Sequence, residues 1–298
     1  MKRAYPDHVL VIGGDARQIE VAHTLSALYK KVNIFGHPSE KLPDSVDSVT
    51  DLSKALVDPK VVVLPISGMN DAGMVRGYQA DQLIDFGSHF PGLKENTLIV
   101  TGQFTEKWLK RSEEMGIRVI QYAEDDRIAI PNSIPTAEGA VQIGMEELPI
   151  TINGSTVIVC GFGRVGMATA LAFKSLGARV IITVRRQALL DRAIELGLEA
   201  VFQKDLPEVL NSADIIVNTV PALVLTEPEL AKASPEALII DLASPPGGTD
   251  FEAAKRLKLK AILAPGLPGK VAPKTAAKIL ASVIPQLITD FWNGGGGK

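Results

Sequence analysis

The chain is poor in cysteine, histidine and aromatic residues: of 298 residues one is Cys, four are His and 5% are Phe, Trp or Tyr. A single thiol, Cys160, excludes an internal disulfide framework, and its place in an apolar run marks it as a small buried hydrophobe in a reducing compartment, not a nucleophile. His8, His23, His37 and His89 are scattered without metal-ligand spacing, so no metal is expected. No run of about 18 uncharged apolar residues occurs and residues 1–6 lack an apolar signal segment, which predicts a cytoplasmic protein with no membrane span. The formal net charge of −3 is too small to imply general affinity for nucleic acid or an anionic membrane. A phosphate-binding P-loop, a nucleophile elbow and a histidine spaced to pair with a carboxylate are all missing. Such a chain suits a reaction whose hard step is carried by a cofactor.

What is present is apolar and ordered. Hydrophobic residues make up 46% of the chain, enough for two cores. Short, unalternating apolar runs of the kind found in parallel strands covered on both faces alternate with helical patterns in two separate series. The first has strands at 8–12, 32–35, 61–65, 98–101 and 118–122 with a helix at 16–29. The second has strands at 156–160, 178–184, 200–202, 215–219, 238–242 and 260–263. The expected fold is α/β: two doubly wound, Rossmann-like domains with mainly parallel sheets. The expected division is a substrate and catalytic domain at 1–135, a connecting helix at 136–150 and a nucleotide domain at 151–268. A C-terminal helix at 269–292, interrupted at Pro285, then returns to the first domain, and a glycine-rich tail at 293–298 is expected to be disordered.

The segment Gly161-Phe162-Gly163-Arg164-Val165-Gly166 falls between a strand and a helical pattern, the context that makes a glycine motif informative. Gly161 permits the tight turn, Gly163 lets a pyrophosphate approach the backbone, and Gly166 allows the helix to lie close on its strand. At the end of the next strand an NAD-binding domain ordinarily carries a carboxylate for the ribose 2′-OH. Here Arg185 and Arg186 stand there, so NADP is preferred, with NAD possible; the alternative is a solvated strand end. Thr219, Val220 and Pro221 after one strand, and Ala243 and Ser244 after another, are further cofactor-binding candidates, with a plain turn as the competing role.

Polar residues at strand exits supply the candidates for chemistry. Arg17 opens a helix, where positive charge is disfavoured by the dipole unless an anion compensates, which suggests a carboxylate fork. Ser67, Asn132, Ser133, Lys270 and Lys274 lie in loops rich in polar residues, proline and glycine. The lysines follow a glycine-proline turn that is equally readable as a solvated helix cap.

Four blocks together resemble the A-subunit family of dipicolinate synthase: Ile12-Gly13-Gly14-Asp15-Ala16-Arg17-Gln18, Asn132-Ser133-Ile134-Pro135-Thr136-Ala137-Glu138-Gly139, Asp241-Leu242-Ala243-Ser244-Pro245-Pro246-Gly247-Gly248-Thr249-Asp250 and Ala264-Pro265-Gly266-Leu267-Pro268-Gly269-Lys270-Val271-Ala272-Pro273-Lys274-Thr275-Ala276. The resemblance runs from about residue 9 to about residue 288. It implies a nicotinamide-dependent dehydrogenase subunit of sporulating bacteria, in the mother cell, converting 4-hydroxy-tetrahydrodipicolinate to dipicolinate at a branch from the lysine pathway. It also implies the flavoprotein-like B-subunit of dipicolinate synthase as partner, and a homo-oligomer is expected. Two substrate carboxylates call for clamps, for which Arg17 on one domain and Lys270 or Lys274 on the other are the candidates. Two other readings stand beside this one: a non-catalytic NADP-binding regulatory or scaffold subunit, and a dehydrogenase of a 2-hydroxy or amino acid, although the latter ordinarily places a histidine near its cofactor.

Overall fold

A computed structural model describes residues 6–79, 81–244 and 246–294. The chain divides into two compact units, 1–129 with 273–298, and 130–272.

The first unit contains β1 (His8–Ile12), α1 (Ala16–Ser26), β2 (Lys31–Phe35), β3 (Asp47–Val49), α2 (Leu52–Ala55), β4 (Val61–Val63), a hairpin of β5 (Met74–Arg76) and β6 (Leu83–Asp85), β7 (Leu98–Thr101), α3 (Glu106–Glu114) and β8 (Arg118–Gln121). α4 (Asp126–Glu147) carries the chain across the division. The second unit continues with β9 (Thr156–Cys160), α5 (Arg164–Ser175), β10 (Arg179–Val184), α6 (Gln187–Glu195), β11 (Glu199–Phe202), α7 (Leu206–Val209), β12 (Ile215–Asn218), α8 (Glu227–Leu230), β13 (Leu238–Asp241), α9 (Phe251–Arg256), β14 (Lys260–Leu263) and α10 (Leu267–Val271), and α11 (Pro273–Trp292) belongs to the first unit.

Each unit holds a six-stranded parallel sheet, in the order β3-β2-β1-β4-β7-β8 and β11-β10-β9-β12-β13-β14. Both orders reverse beside the first strand of the unit, between β1 and β4 and between β9 and β12, the place where doubly wound sheets bind ligands beyond their strand ends. Unalternating strands follow from helices on both faces. In β1, Val9 and Val11 join a core with α1 and α11, while Leu10 and Ile12 join another with α2 and α3. Val157 and Val159 of β9 pack with Ala170 and Phe173 of α5, while Ile158 and Cys160 pack with Leu206, Leu230 and Ala253 on the other face.

Two helices differ from the sequence expectation, both through proline. The segment expected at 136–150 starts at Asp126 and runs through Pro131 and Pro135, so the block 132–139 is helix interior and not a loop. The Ser133 and Thr136 hydroxyls donate to the Ile130 and Asn132 carbonyls at 2.7 and 2.9 Å, giving backbone acceptors around the prolines additional partners. The expected helix at 269–292 is two helices, α10 and α11, and α11 is continuous through Pro285. An interior proline costs about 3 kcal/mol. Leu280, Val283, Ile284, Leu287, Ile288, Phe291 and Trp292 are buried against the first unit's core, and at about 1.5–3 kcal/mol for each large apolar side chain this burial outweighs the proline. Of the expected disordered tail, 295–298 lies outside the described residues and Asn293 and Gly294 form a turn. Among the described residues no helix is long and apolar enough to cross a membrane.

Candidate functional site

In the second unit the glycine turn is built by steric necessity. Gly161 has φ +94°, and a Cβ there would lie 2.8 Å from both Thr219 Oγ1 and Val220 Cγ2, so the turn after β9 packs bare against the exit of β12. A Cβ on Gly166 would meet the Gly161 carbonyl oxygen at 2.2 Å, which is why α5 approaches its strand so closely. Gly163 differs: a Cβ there meets nothing within 4 Å. It is the N-cap of α5, no side chain caps it, and it is exposed. An open, glycine-lined approach to a twelve-residue helix N-terminus fits an anionic pyrophosphate, because the first-turn N–H groups and the helix dipole both favour one. Phe162 is buried, while Arg164 and Val165 are half-buried in the first turn of α5.

The loops around this turn are tied to one buried carboxylate that sequence reasoning did not single out. Asp241, fully buried at the end of β13, accepts from the Ala243 N–H at 3.0 Å and Asn218 Nδ2 at 3.0 Å on one oxygen, and from the Gly248 N–H at 2.8 Å and Thr249 Oγ1 at 2.7 Å on the other. Asn218 passes the constraint on: its Oδ1 accepts from the Val220 N–H and its Nδ2 reaches the Val220 carbonyl, each at 3.1 Å. Thr219 Oγ1 donates to the Cys160 carbonyl at 2.8 Å. The Thr219-Val220 and Ala243-Ser244 segments are therefore held in shape, whereas Pro221 and Ser244 are exposed and Pro245 lies outside the described residues. The signal for Asp241 was a charged residue closing an apolar strand, but its four donors become visible only in three dimensions.

Arg185 and Arg186 are exposed after β10. The parallel pairing of β10 with β11 sets Val184 opposite Phe202, and an open, shallow depression there is lined by Val184, Arg185, Phe202, Gln203 and Lys204. Lys204 thus stands with Arg185 on one basic surface. The pair is distant in sequence, and only strand adjacency unites them.

Cys160 is fully buried, and burial pushes its thiol up to about 12, only partly opposed by a hydrogen bond with Thr183. The folded chain is expected to resist iodoacetamide at pH 8 and to react once unfolded in urea; alkylation at equal rates in both states would contradict its assignment as an inert core residue.

In the first unit Arg17 is half-buried at the start of α1, and its Nε and Nη2 donate to Asp15 Oδ1 and Oδ2, both at 2.8 Å. Asp15, which also caps the helix through the Arg17 N–H at 3.0 Å, is the anion that compensates the guanidinium. The Arg17 guanidinium thus has an anionic partner inside the chain, and Nη1 is the nitrogen outside that pair. Burial raises the Asp15 carboxyl, but the hydrogen bonds and charge of Arg17 outweigh it and hold the carboxyl below its ordinary range. Beside it His37 is buried, and desolvation lowers its pKa against the opposing pull of the Asp15 and Phe35 carbonyls, so the ring is neutral near pH 7.

The remaining candidates are placed less favourably. Ser67 is exposed after β4; Asn132 and Ser133 are helical, and the Ser133 hydroxyl proton is spent on the Ile130 carbonyl. Lys270 in α10 and Lys274 in the first turn of α11 are both exposed, and they belong to different units. Among the described residues no group of three or more His, Cys, Asp or Glu is arranged to hold a metal.

A doubly wound unit with a bare, uncapped glycine turn at its switch point defines a dinucleotide-binding domain of the dehydrogenase type, and residues 135–245 match the NAD binding domain of D-isomer specific 2-hydroxyacid dehydrogenases. Residues 8–123 match the N-terminal domain of the dipicolinate synthase A-subunit. The chain belongs to the dipicolinate synthase A-subunit family. It is 36% identical over 291 residues to the dipicolinate synthase A-subunit of Bacillus subtilis (strain 168), covering 95% of this chain and 96% of that protein. The crystal structure of the dipicolinate synthase A-subunit from Bacillus halodurans superposes with a TM-score of 0.89 at 37% identity, covering 95% of this chain and 97% of that one. The A chain of dipicolinate synthase from Bacillus subtilis gives 0.85 at 34% identity, covering 97% and 98%.

Proposed function

We propose that this chain is the dehydrogenase subunit of a dipicolinate synthase, using NADP to convert 4-hydroxy-tetrahydrodipicolinate to pyridine-2,6-dicarboxylate in the mother cell of a sporulating bacterium. The observation that carries the reading is the open Gly163 approach to α5 in a member of this family. The substrate loses water and then a hydride and a proton, and aromaticity of the product ring drives the sequence forward. The nicotinamide, when bound, accepts the hydride. The chain's own work is to bind and orient. The Gly161–Gly166 turn holds the pyrophosphate, while Thr219, Val220, Ala243 and Ser244 shape the walls. Arg17 through Nη1 and Lys274, both in the first unit, are the proposed holders of substrate carboxylate, and Lys270 is the candidate the second unit offers. The flavoprotein-like B-subunit is the proposed partner, in keeping with the A-subunit name of the relatives. The test is direct: the purified chain, mixed with NADP and freshly generated hydroxytetrahydrodipicolinate, produces reduced-nicotinamide absorbance. Cofactor binding with no such absorbance would favour a binding subunit instead.

NADP preference is proposed on the basic surface of Arg185 and Lys204, where two cations can engage a 2′-phosphate. The double variant Arg185→Ala/Lys204→Ala is expected to weaken NADP binding about 10- to 100-fold, since each charge-assisted hydrogen bond contributes about 1.5–3 kcal/mol, of which solvent screening at this exposed site removes a part. NAD binding is expected to stay nearly constant. Equal loss for both cofactors in a calorimetric titration would count against the assignment.

A further inference from the structure

We infer that the carboxamide of Gln18, packed beside the glycine turn after β1 and Pro65 after β4, is a recognition group for a carboxylate of the substrate. The inference rests on the dicarboxylate reading above and adds a residue to it. Gln18 is 1% exposed, and neither its Oε1 nor its Nε2 has a hydrogen-bond partner. A buried, unpaired amide is costly, and a leucine or methionine would occupy similar space without that cost. Retention of the amide is explained by a partner that the fold itself does not supply.

Its position says what kind of partner. A Cβ on Gly14, which has φ +81°, would lie 2.5 Å from Gln18 Cγ, 3.4 Å from Cδ and 2.9 Å from Pro65 Cβ. The turn is therefore bare where the Gln18 side chain lies against it, and Pro65 closes the other side. Strands β1 and β4 are neighbours at the reversal of the first sheet's order, where ligands of doubly wound sheets sit. Gln18 is the third residue of α1, an eleven-residue helix whose N-terminal end favours negative charge. The Arg17 guanidinium lies in the same turn with Nη1 outside its pair with Asp15, and the Asp15 charge is already committed to Arg17. A positive helix end, an amide donor and a guanidinium nitrogen together select an anion with planar acceptor oxygens, and Nε2 donates to one of them.

The decisive experiment is calorimetric titration of pyridine-2,6-dicarboxylate into the full chain saturated with NADP, comparing wild type, Gln18→Leu and Gln18→Glu, with Tm and NADP affinity recorded for each. The expected result for Gln18→Leu is dicarboxylate affinity lowered about tenfold or more, as for loss of a hydrogen bond to a charged group. Its Tm is expected to be equal or higher, and NADP affinity unchanged. Gln18→Glu, of the same shape but like charge, is expected to bind more weakly still. Should Gln18→Leu not fold, the unbranched Gln18→Met serves with the same expectation. Variants that bind the dicarboxylate as tightly as wild type would overturn the inference alone and assign the amide to a bound water. A wild-type chain that takes up NADP but no dicarboxylate would overturn the substrate reading and this inference with it.

Discussion

Gly163→Asp is expected to leave the chain folded and to abolish dinucleotide binding, lowering affinity for NADP and NAD about 100-fold or more, equivalent to about 3 kcal/mol. The fold has room for the new side chain: a Cβ at this position meets nothing within 4 Å, and its φ of −86° is available to any residue. Aspartate is moreover a better helix N-cap than glycine by a few tenths of a kcal/mol, so Tm is expected to hold or rise slightly. The bound cofactor has no such tolerance, because the carboxylate takes up the first-turn N–H groups and sets a negative charge where the pyrophosphate sits. Gly166→Ala makes the opposite case. Its Cβ would press on the Gly161 carbonyl oxygen at 2.2 Å, so it is expected to destabilise the second unit itself. A titration and a melting curve on the two variants separate the roles. If Gly163→Asp bound NADP like wild type, the glycine turn would be a structural corner and nothing more.

Asp241→Asn is expected to lower the melting temperature by about 10 °C, on the basis of about 3–5 kcal/mol for unpairing buried hydrogen-bonded groups. The substitution is nearly isosteric, yet each carboxylate oxygen of Asp241 accepts from two donors. With its NH2 at the Oδ1 position the amide faces the Ala243 N–H and Asn218 Nδ2, and at the Oδ2 position it faces the Gly248 N–H while the Thr249 hydroxyl can turn to accept, so either orientation leaves at least one buried backbone N–H without its acceptor. A Cβ on Gly247 would lie 2.9 Å from Asp241 Oδ2, and one on Gly248 would lie 2.5 Å from Asn218 Nδ2, so the loop is too closely fitted to relax around the change. Cofactor affinity is expected to fall with stability, because Asn218 couples Asp241 to the Val220 backbone beside the glycine turn. Scanning calorimetry checks the first expectation. A midpoint within about 1 °C of wild type would show that water replaces the lost acceptor, a change of under about 0.5 kcal/mol.

β1, β7 and β9, buried along nearly their whole length, and the partly exposed β14 were legible because they begin and end where the apolar runs do. β3 and the β5–β6 hairpin were not, since three-residue strands such as Asp47–Val49, whose residues are exposed or half-buried, carry no periodicity to read. α4 and α11 continue through Pro131, Pro135 and Pro285, and at Pro285 burial of the surrounding apolar side chains overrides a strong local breaker. The glycine turn was readable because its spacing is itself the geometry. Lys204, Gln18 and Asp241 were not, because each stands beside a residue that strand adjacency alone brings near: Arg185 past the end of β10, Pro65 past the end of β4, Asn218 in β12. At Arg17 the sequence position pointed to an anion, and one stands two residues away in Asp15, which leaves Nη1 outside the pair.

Binding of a nicotinamide dinucleotide on the Gly161–Gly166 turn of the second unit is decided by isothermal titration of the folded wild-type chain with NADP and with NAD. The expected result is saturable binding at one site per chain, tighter for NADP and lost in Gly163→Asp. Absence of heat with both cofactors, from a chain whose circular dichroism and melting show it folded, would contradict it.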